Sequence, residues 1–216
     1  SVLDQGKDIL YISFTSTLSS SYNVASITAK ELAEEYPEAK ICVVDSMNVS
    51  LSEGLLVNKA WNMRREGKSL EETVQWLEDN KMHVCVKFTV DDLHHLQRGG
   101  RVSKTTAVVG SILNIKPMMI LDQEGKLKAV GTVRTRKKAL MALVDYMGEK
   151  IPGWEKENDL VAIVHGDCLE DAQFVADQVK ARFQIPEVMI NDINPSIGVH
   201  AGPGALGLLF FGTGRE

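Results

Sequence analysis

The stretch DILYISFTSTLSSSYNVASITAKELAEEYPEAKICVVD, residues 8–45, decides the fold class. DILYIS is a short apolar run that ends in the hydroxyl-rich segment FTSTLSSSYN. ICVVD, residues 41–45, is a second apolar run. Between them the sequence reads as a helix over residues 21–36, started by serines at 19–21 and stopped ahead of Pro37, whose ring disfavours helical backbone in the residue before it. Two continuously apolar strands joined by a helix imply parallel strands in a helix-covered sheet. Working outward, SMNVS leads to a helix over residues 50–65, closed by Gly67. A further helix follows Ser69, whose S-x-x-E spacing to Glu72 forms a capping box. The first 80 residues therefore read β-α-β-α-α.

The second half has a different pattern. HVCVKF is a strand, DDLHHLQRGGR a helix broken at Gly99-Gly100, and VSKTTAVVGSILN a short apolar helix. PMMILD and LKAVGTV are strands joined across Gln123-Glu124-Gly125, a hairpin signal. Thr135 is placed to cap a helix through Tyr146. After the polar connector IPGWEKEND come the strand DLVAIVHGD, the amphipathic helix CLEDAQFVADQVKARF and the strand EVMINDI. A glycine-rich turn and a last apolar strand end the chain. The expectation is an α/β protein with a first unit over residues 1–80, a parallel sheet with flanking helices, and a mixed-sheet unit over residues 81–216.

The composition narrows the function. At 216 residues with 44% hydrophobic and 25% charged side chains, the chain suits a packed globular protein. Its apolar runs fall short of the ~20 residues that span a bilayer, and SVLDQGKDIL lacks the basic start and apolar core of a signal peptide. Cys42, Cys85 and Cys168 form no C-x-x-C and read as small hydrophobes in a reducing compartment. The net charge of −5 is unevenly spread. Residues 95–138 hold ten Lys/Arg against Asp122 and Glu124, so this segment is +8 and the rest −13. Such a face suits an anion or an acidic partner. Nucleic acid fits poorly: aromatics are sparse there and no binding motif matches.

SIGVHAGPGALG, residues 196–207, spells the dinucleotide fingerprint G-x-G-x-x-G at Gly202, Gly204 and Gly207. That motif needs a following helix, a second strand and an acidic ribose ligand. Only LLFFGTGRE follows Gly207, which leaves no room for them. The glycines read instead as a tight turn before a last strand, or as backbone facing a ligand beside His200. The hydroxyls Thr15, Ser16, Thr17, Ser19, Ser20 and Ser21 lie between a strand end and a helix start. That is where α/β sheets bind ligands and where a carboxylate or phosphate is welcome; plain helix capping needs only one or two of them. A nucleophile built from Ser19, His200 and Asp45 lacks the G-x-S-x-G elbow. Arg101, aimed by the Gly99-Gly100 helix end, and Arg134 have the planar fork that suits carboxylate or phosphate. Asp91, Asp92, His94 and His95 read better as a helix start with surface histidines than as metal ligands.

FTVDDLHHLQRGGRVSKTTAVVGSILNIKPMM, VRTRKKAL and IGVHAGPGALG together resemble the DegV family, as do TSTLSSSYNVA and VVDSMNVSLSEGLLV; the resemblance covers nearly the whole chain. It implies a two-lobed α/β fold that buries a single long-chain fatty acid between the lobes. It also implies no catalysis by this chain alone. The carboxylate would be presented to an ATP-dependent subunit of the dihydroxyacetone-kinase type, in the cytoplasm, for acyl-phosphate formation. No catalytic residue, cofactor or metal is expected. Matching motif to motif places the family's L-S-G-T-Y serine on Ser19, its GGR arginine on Arg101, its VR-x-x-KK arginine on Arg134 and its histidine on His200. The expected carboxylate-binding set is Ser19, His200, Ser16 and Gly202, with Arg101 and Arg134 supporting partner docking or phosphoryl transfer. AVVGSILNI, PMMI and ALGLLFF are the expected tunnel lining. Ser20-Ser21 stand where the family has Gly-Thr. The I-x-T-D-S and T-S-Q-P segments that open family members are not found, so the resemblance also implies about 80 absent opening residues, with one wall of the pocket. The competing expectation is a stand-alone enzyme acting on a small phosphorylated or carboxylated substrate, with His200 as acid/base and Arg101 as clamp.

Overall fold

A computed structural model describes residues 1–103 and 114–215 of the chain. The first strand, β1 (Ile9–Ser13), and β2 (Ile41–Asp45) pair in parallel from Ile9↔Ile41 to Ser13↔Asp45. The connecting helix α1 (Ser21–Glu35) ends one residue earlier than expected, ahead of Pro37. α2 (Leu51–Arg65) and α3 (Leu70–Asn80) follow. The capping box is present in full: Ser69 Oγ accepts from the Glu72 N–H at 3.1 Å, and the Glu72 carboxylate accepts from the Ser69 N–H at 2.8 Å.

The second sheet has six strands in the order β5-β4-β3-β8-β6-β7. They are β3 (Val84–Thr89), β4 (Ile115–Leu121), β5 (Leu127–Arg134), β6 (Leu160–His165), β7 (Glu187–Asp192) and β8 (Leu206–Phe211). Among the described residues only the β6–β7 pairing of this sheet is parallel, so the expected mixed sheet is present, with the β4–β5 hairpin at one side. The α-helices among the described residues of this half are α4 (His94–Arg98), α5 (Arg136–Lys150), α6 (Leu169–Phe183) and α7 (Pro195–Ala201). Ten residues of the expected apolar helix, 104–113, lie outside the described residues.

Two local expectations need correction. Thr135 does not cap α5 with its side chain; it takes a left-handed backbone (φ 74°) and only its carbonyl enters the helix, which runs on to Lys150. Residues 195–201, read from sequence only as part of the glycine-rich stretch, form α7. Asn194 Oδ1 accepts from the Ile197 N–H at 3.0 Å, and Pro195 occupies the first turn, where its missing N–H costs nothing.

β8 is the keel of the molecule. All six of its residues are buried, although it comes last in the chain, because it sits between β3 and β6. Leu206, Leu208 and Phe210 point to one face, where α5 and α6 cover them with Leu143, Met147, Val175 and Val179. Leu209 and Phe211 point to the other and pack with Leu55, Leu56 and Ala60 of α2 and Val44 of β2. That second cluster joins the two sheets through one apolar core, worth ~25 cal/mol per Å² of apolar surface removed from water.

Arg215 ties down the chain end. Its guanidinium donates to the carbonyls of Val84 (2.9 Å), Met47 (2.6 Å) and Lys81 (3.3 Å) and to the Asn48 side chain. Burial lowers its pKa to about 10. It thereby clamps the loop after β2 to the start of β3.

Candidate functional site

A cavity of about 650 Å³ opens where the loops after β1 and β2 meet α7 and the α2-facing side of β3, β8 and β6. Its walls are mostly apolar, with Phe14, Leu18, Val49, Val86, Phe88, Val164, Leu209 and Ile197 among them. Polar side chains also line it, Ser19, Ser21, Ser50, Glu53, Arg101, Asp192, Asn194 and His200 among them. An apolar cavity with a few convergent polar groups is the usual form of a small-molecule site.

The sheet order explains the cavity. Ligand crevices form at the C-terminal ends of parallel strands, where the following loops diverge. The loop after β1 carries the hydroxyl cluster, and the structure separates its members. Thr15 Oγ1 and Thr17 Oγ1 both donate to the Gly125 carbonyl, at 3.3 and 2.6 Å, which fastens the tip of the β4–β5 hairpin to this loop. Ser16 is held through its backbone, donating to Asp45 Oδ1 at 3.2 Å. Ser19 and Ser21 reach the cavity with their hydroxyls 2.8 Å apart. Ser19 also accepts from the Ser21 N–H at 3.2 Å, so part of its role is local, at the start of α1.

Arg101 and His200 arrive from the opposite side. α4 ends at Arg98, and Gly100 (φ 71°) turns the chain in a left-handed step that suits glycine. The turn swings Arg101 back across the loop, where its guanidinium donates to the Leu18 carbonyl at 3.1 Å and the Gly99 carbonyl at 2.5 Å. The expectation that the glycine pair aims an arginine is met, but the arginine is aimed at the Ser19 loop. His200 comes from the last turn of α7, and its half-buried ring rests on Gly99. Ser19, Arg101 and His200, far apart in sequence, thus line one cavity.

The other expected site residues lie elsewhere. Ser16 and Gly202 are not in the cavity wall. Gly202 sits under the His95 ring, where a Cβ would come within 2.7 Å of Cδ2, and Gly204 sits under the Asp91 carboxylate. These glycines let the turn pack against the segment before and within α4. Arg134 is exposed at the end of β5. Asp91 pairs with Lys116 at 2.6 Å, and Asp92 Oδ1 accepts from the His94 N–H at 2.8 Å, so the two carboxylates do separate structural work. Asp45 accepts from the backbone of Ser16 and Met47 (3.2 and 3.0 Å), a loop-shaping role rather than that of a triad member. Of the expected lining segments, ALGLLFF contributes Ala205, Leu206, Gly207 and Leu209, while PMMI contributes nothing because Met118 and Met119 are core residues.

Sequence reasoning missed Glu53, Asp192 and Asn194 in the wall. Burial pushes the half-buried Glu53 carboxyl up to about 7, because desolvation disfavours its charged form. Its position in the first turn of a helix gave no sign of this. Asp192 lies 3.6 Å from buried His165 Nε2.

The family model described as "Uncharacterised protein, DegV family" matches residues 1–213. That match gives no support to the expectation of an absent opening segment. A DegV domain-containing protein of Clostridium perfringens is 40% identical over 212 residues, which cover 98% of this chain and 72% of the relative. Among solved structures, a DegV family protein from Eubacterium eligens loaded with heptadecanoic acid superposes with a TM-score of 0.88 at 25% identity, covering 98% of this chain and 76% of that one. The Streptococcus pneumoniae fatty acid kinase B3 protein loaded with linoleic acid shares the fold, with a TM-score of 0.87 at 23% identity over 97% of this chain and 74% of its own.

Proposed function

Because the chain belongs to the DegV family, we propose that it binds a single long-chain fatty acid in the 650 Å³ cavity. The observation that carries this reading is the pairing of a long apolar wall with polar groups converging from two sides. Val86, Val164 and Leu209 on one sheet face, with Phe14 and Leu18 opposite, suit an acyl chain. Ser19, His200 and Arg101 suit its carboxylate. The heptadecanoic acid in the Eubacterium eligens protein supports the same ligand class. The boundary near residue 80 then divides two lobes, with the acid lying between them.

The chain acts as a carrier and not as an enzyme. It presents the carboxylate to an ATP-dependent kinase subunit, and the two work in the cytoplasm. Arg134, exposed at the end of β5, belongs to the surface that such an acidic or nucleotide-bearing partner meets. A small-substrate enzyme would need a compact polar pocket, and the apolar wall described above is the reverse of that.

The test is solvent extraction of the folded, purified protein followed by mass spectrometry, with saturation binding of heptadecanoic acid to delipidated protein. A long-chain acid in stoichiometric amount is expected. A folded sample with neither a bound acid nor saturable uptake rules the reading out.

A further inference from the structure

Glu53 is the anomaly of the cavity. Its carboxyl has no hydrogen bond or ion pair among the described residues, and it shares the cavity wall with apolar groups that include Val49, Leu51 and Val86. A partly desolvated carboxylate without a partner is costly, and the cost falls if the group keeps its proton or finds a donor or acceptor in the cavity. Burial, with no compensating cation, holds it protonated to about pH 7.

Its placement indicates which ligand group it meets. Glu53 lies in the first turn of α2, directly after the loop that follows β2. Ser19 lies in the loop that follows β1. The two strands are parallel and in register, so both loops leave the same edge of the sheet. They are tied together there by the Thr15 N–H donating to the Asn48 carbonyl at 2.9 Å.

We infer that Glu53 is a further ligand-binding residue, its protonated carboxyl donating a hydrogen bond to the carboxylate of the bound acid, so that the two acids share one proton. The inference rests on the fatty-acid reading. No covalent bond changes; one proton is held between two oxygens, as in carboxyl pairs that cannot both ionise. Binding above neutral pH then takes up a proton from solvent. The titratable side chains that share the wall are Arg101, Asp192 and His200. Among the elements packed against α2, β8 has no titratable group. Tyr11 of β1, Cys85 and Lys87 of β3, His165 of β6 and the carboxylates of α3 are not part of the wall.

The experiment is the dissociation constant of heptadecanoic acid for delipidated full chain, by competition with a fluorescent fatty acid, at pH 6, 7, 8 and 9. Affinity of the native protein is expected to fall about tenfold per pH unit above 7. Glu53→Gln keeps a donor without a titratable proton, so it should hold the pH 6 affinity with a flattened slope. His200→Ala should be weaker throughout but keep the slope, which assigns the slope to Glu53. Calorimetry at pH 8 in buffers of different ionisation enthalpy should show about one proton taken up. A pH-independent native protein, or a Glu53→Gln protein with the native slope, overturns the inference while leaving fatty-acid binding intact. No binding at any pH overturns the fatty-acid reading itself.

Discussion

The imidazole of His200 lies directly on the Cα of Gly99: a Cβ at that position would overlap Nδ1 and come within 2.9 Å of Cε1 and 3.1 Å of Cγ. Gly99 has an ordinary helical φ, so its glycine is explained by this close approach and not by backbone geometry. Gly99→Ala is therefore expected to push His200 out of the cavity and weaken heptadecanoic acid binding about tenfold, as His200→Ala would. The two changes should not add. In a His200→Ala background, Gly99→Ala should cost almost nothing, a coupling that a double-mutant cycle on binding affinity measures.

Arg101 holds the loop that carries Ser19 by donating to the Leu18 carbonyl. Arg101→Lys keeps the charge but loses the planar fork that reaches the Leu18 and Gly99 carbonyls together. Acid affinity should fall about fivefold to tenfold, with faster proteolysis within residues 14–20. Arg134→Ala should leave acid affinity unchanged and lower acyl-phosphate formation when the kinase subunit and ATP are added. Equal effects of the two changes on binding would contradict this division of roles.

Ser19, matched to the family's serine, and Ser16 were both expected to hold the carboxylate, and only Ser19 lines the cavity. Ser19→Ala should weaken the acid about tenfold. Ser16→Ala should stay within about twofold, because Ser16 is held by its backbone N–H. Parallel titrations of the two variants check this.

Glu53 also predicts a pH dependence of stability. Its folded value, about 7, lies above the value of an unfolded glutamate, so the folded state binds the extra proton between about pH 4.5 and 7. Stability therefore falls as pH rises through that window and stays lower above it. The water still reaching the carboxyl reduces the cost, to about 1–2 kcal/mol. Glu53→Gln should exceed the native protein by that amount at pH 8 in urea denaturation of the ligand-free chain. The advantage should vanish below about pH 4.

Arg215→Met should cost about 3 kcal/mol, because it takes a donor from the Val84 and Met47 carbonyls and from the Asn48 side-chain oxygen, while the Lys81 carbonyl keeps the Asn48 amide as donor. A fall of several degrees in Tm is expected, larger than for any single cavity substitution above.

Much of this architecture was legible along the chain. The runs ILYIS and ICVVD around one helix specify β1-α1-β2, and Ser69 with Glu72 fixes the start of α3 through bonds only three residues apart. α7 was missed although Asn194-Pro195 is a sound start signal, because seven residues that include Gly198 and the β-branched Ile197 and Val199 carry little helical pattern. The site was half legible. Ser19, Arg101 and His200 reached the cavity, whereas Gly202 serves the packing of His95 and Ser16 the shape of its loop.

The division has a physical cause. Caps, turns and apolar periodicity act between neighbours in the chain, so residue order alone determined the α/β class, the parallel opening pair and the mixed character of the second sheet. The insertion of β8 between β3 and β6, the seat of His200 on Gly99 and the burial of Glu53 depend on surfaces that meet only when segments distant in the chain pack together. Tertiary structure alone decided which hydroxyls fasten the β4–β5 hairpin and which face the cavity, because the same serine and threonine chemistry serves either use until its neighbours are in place.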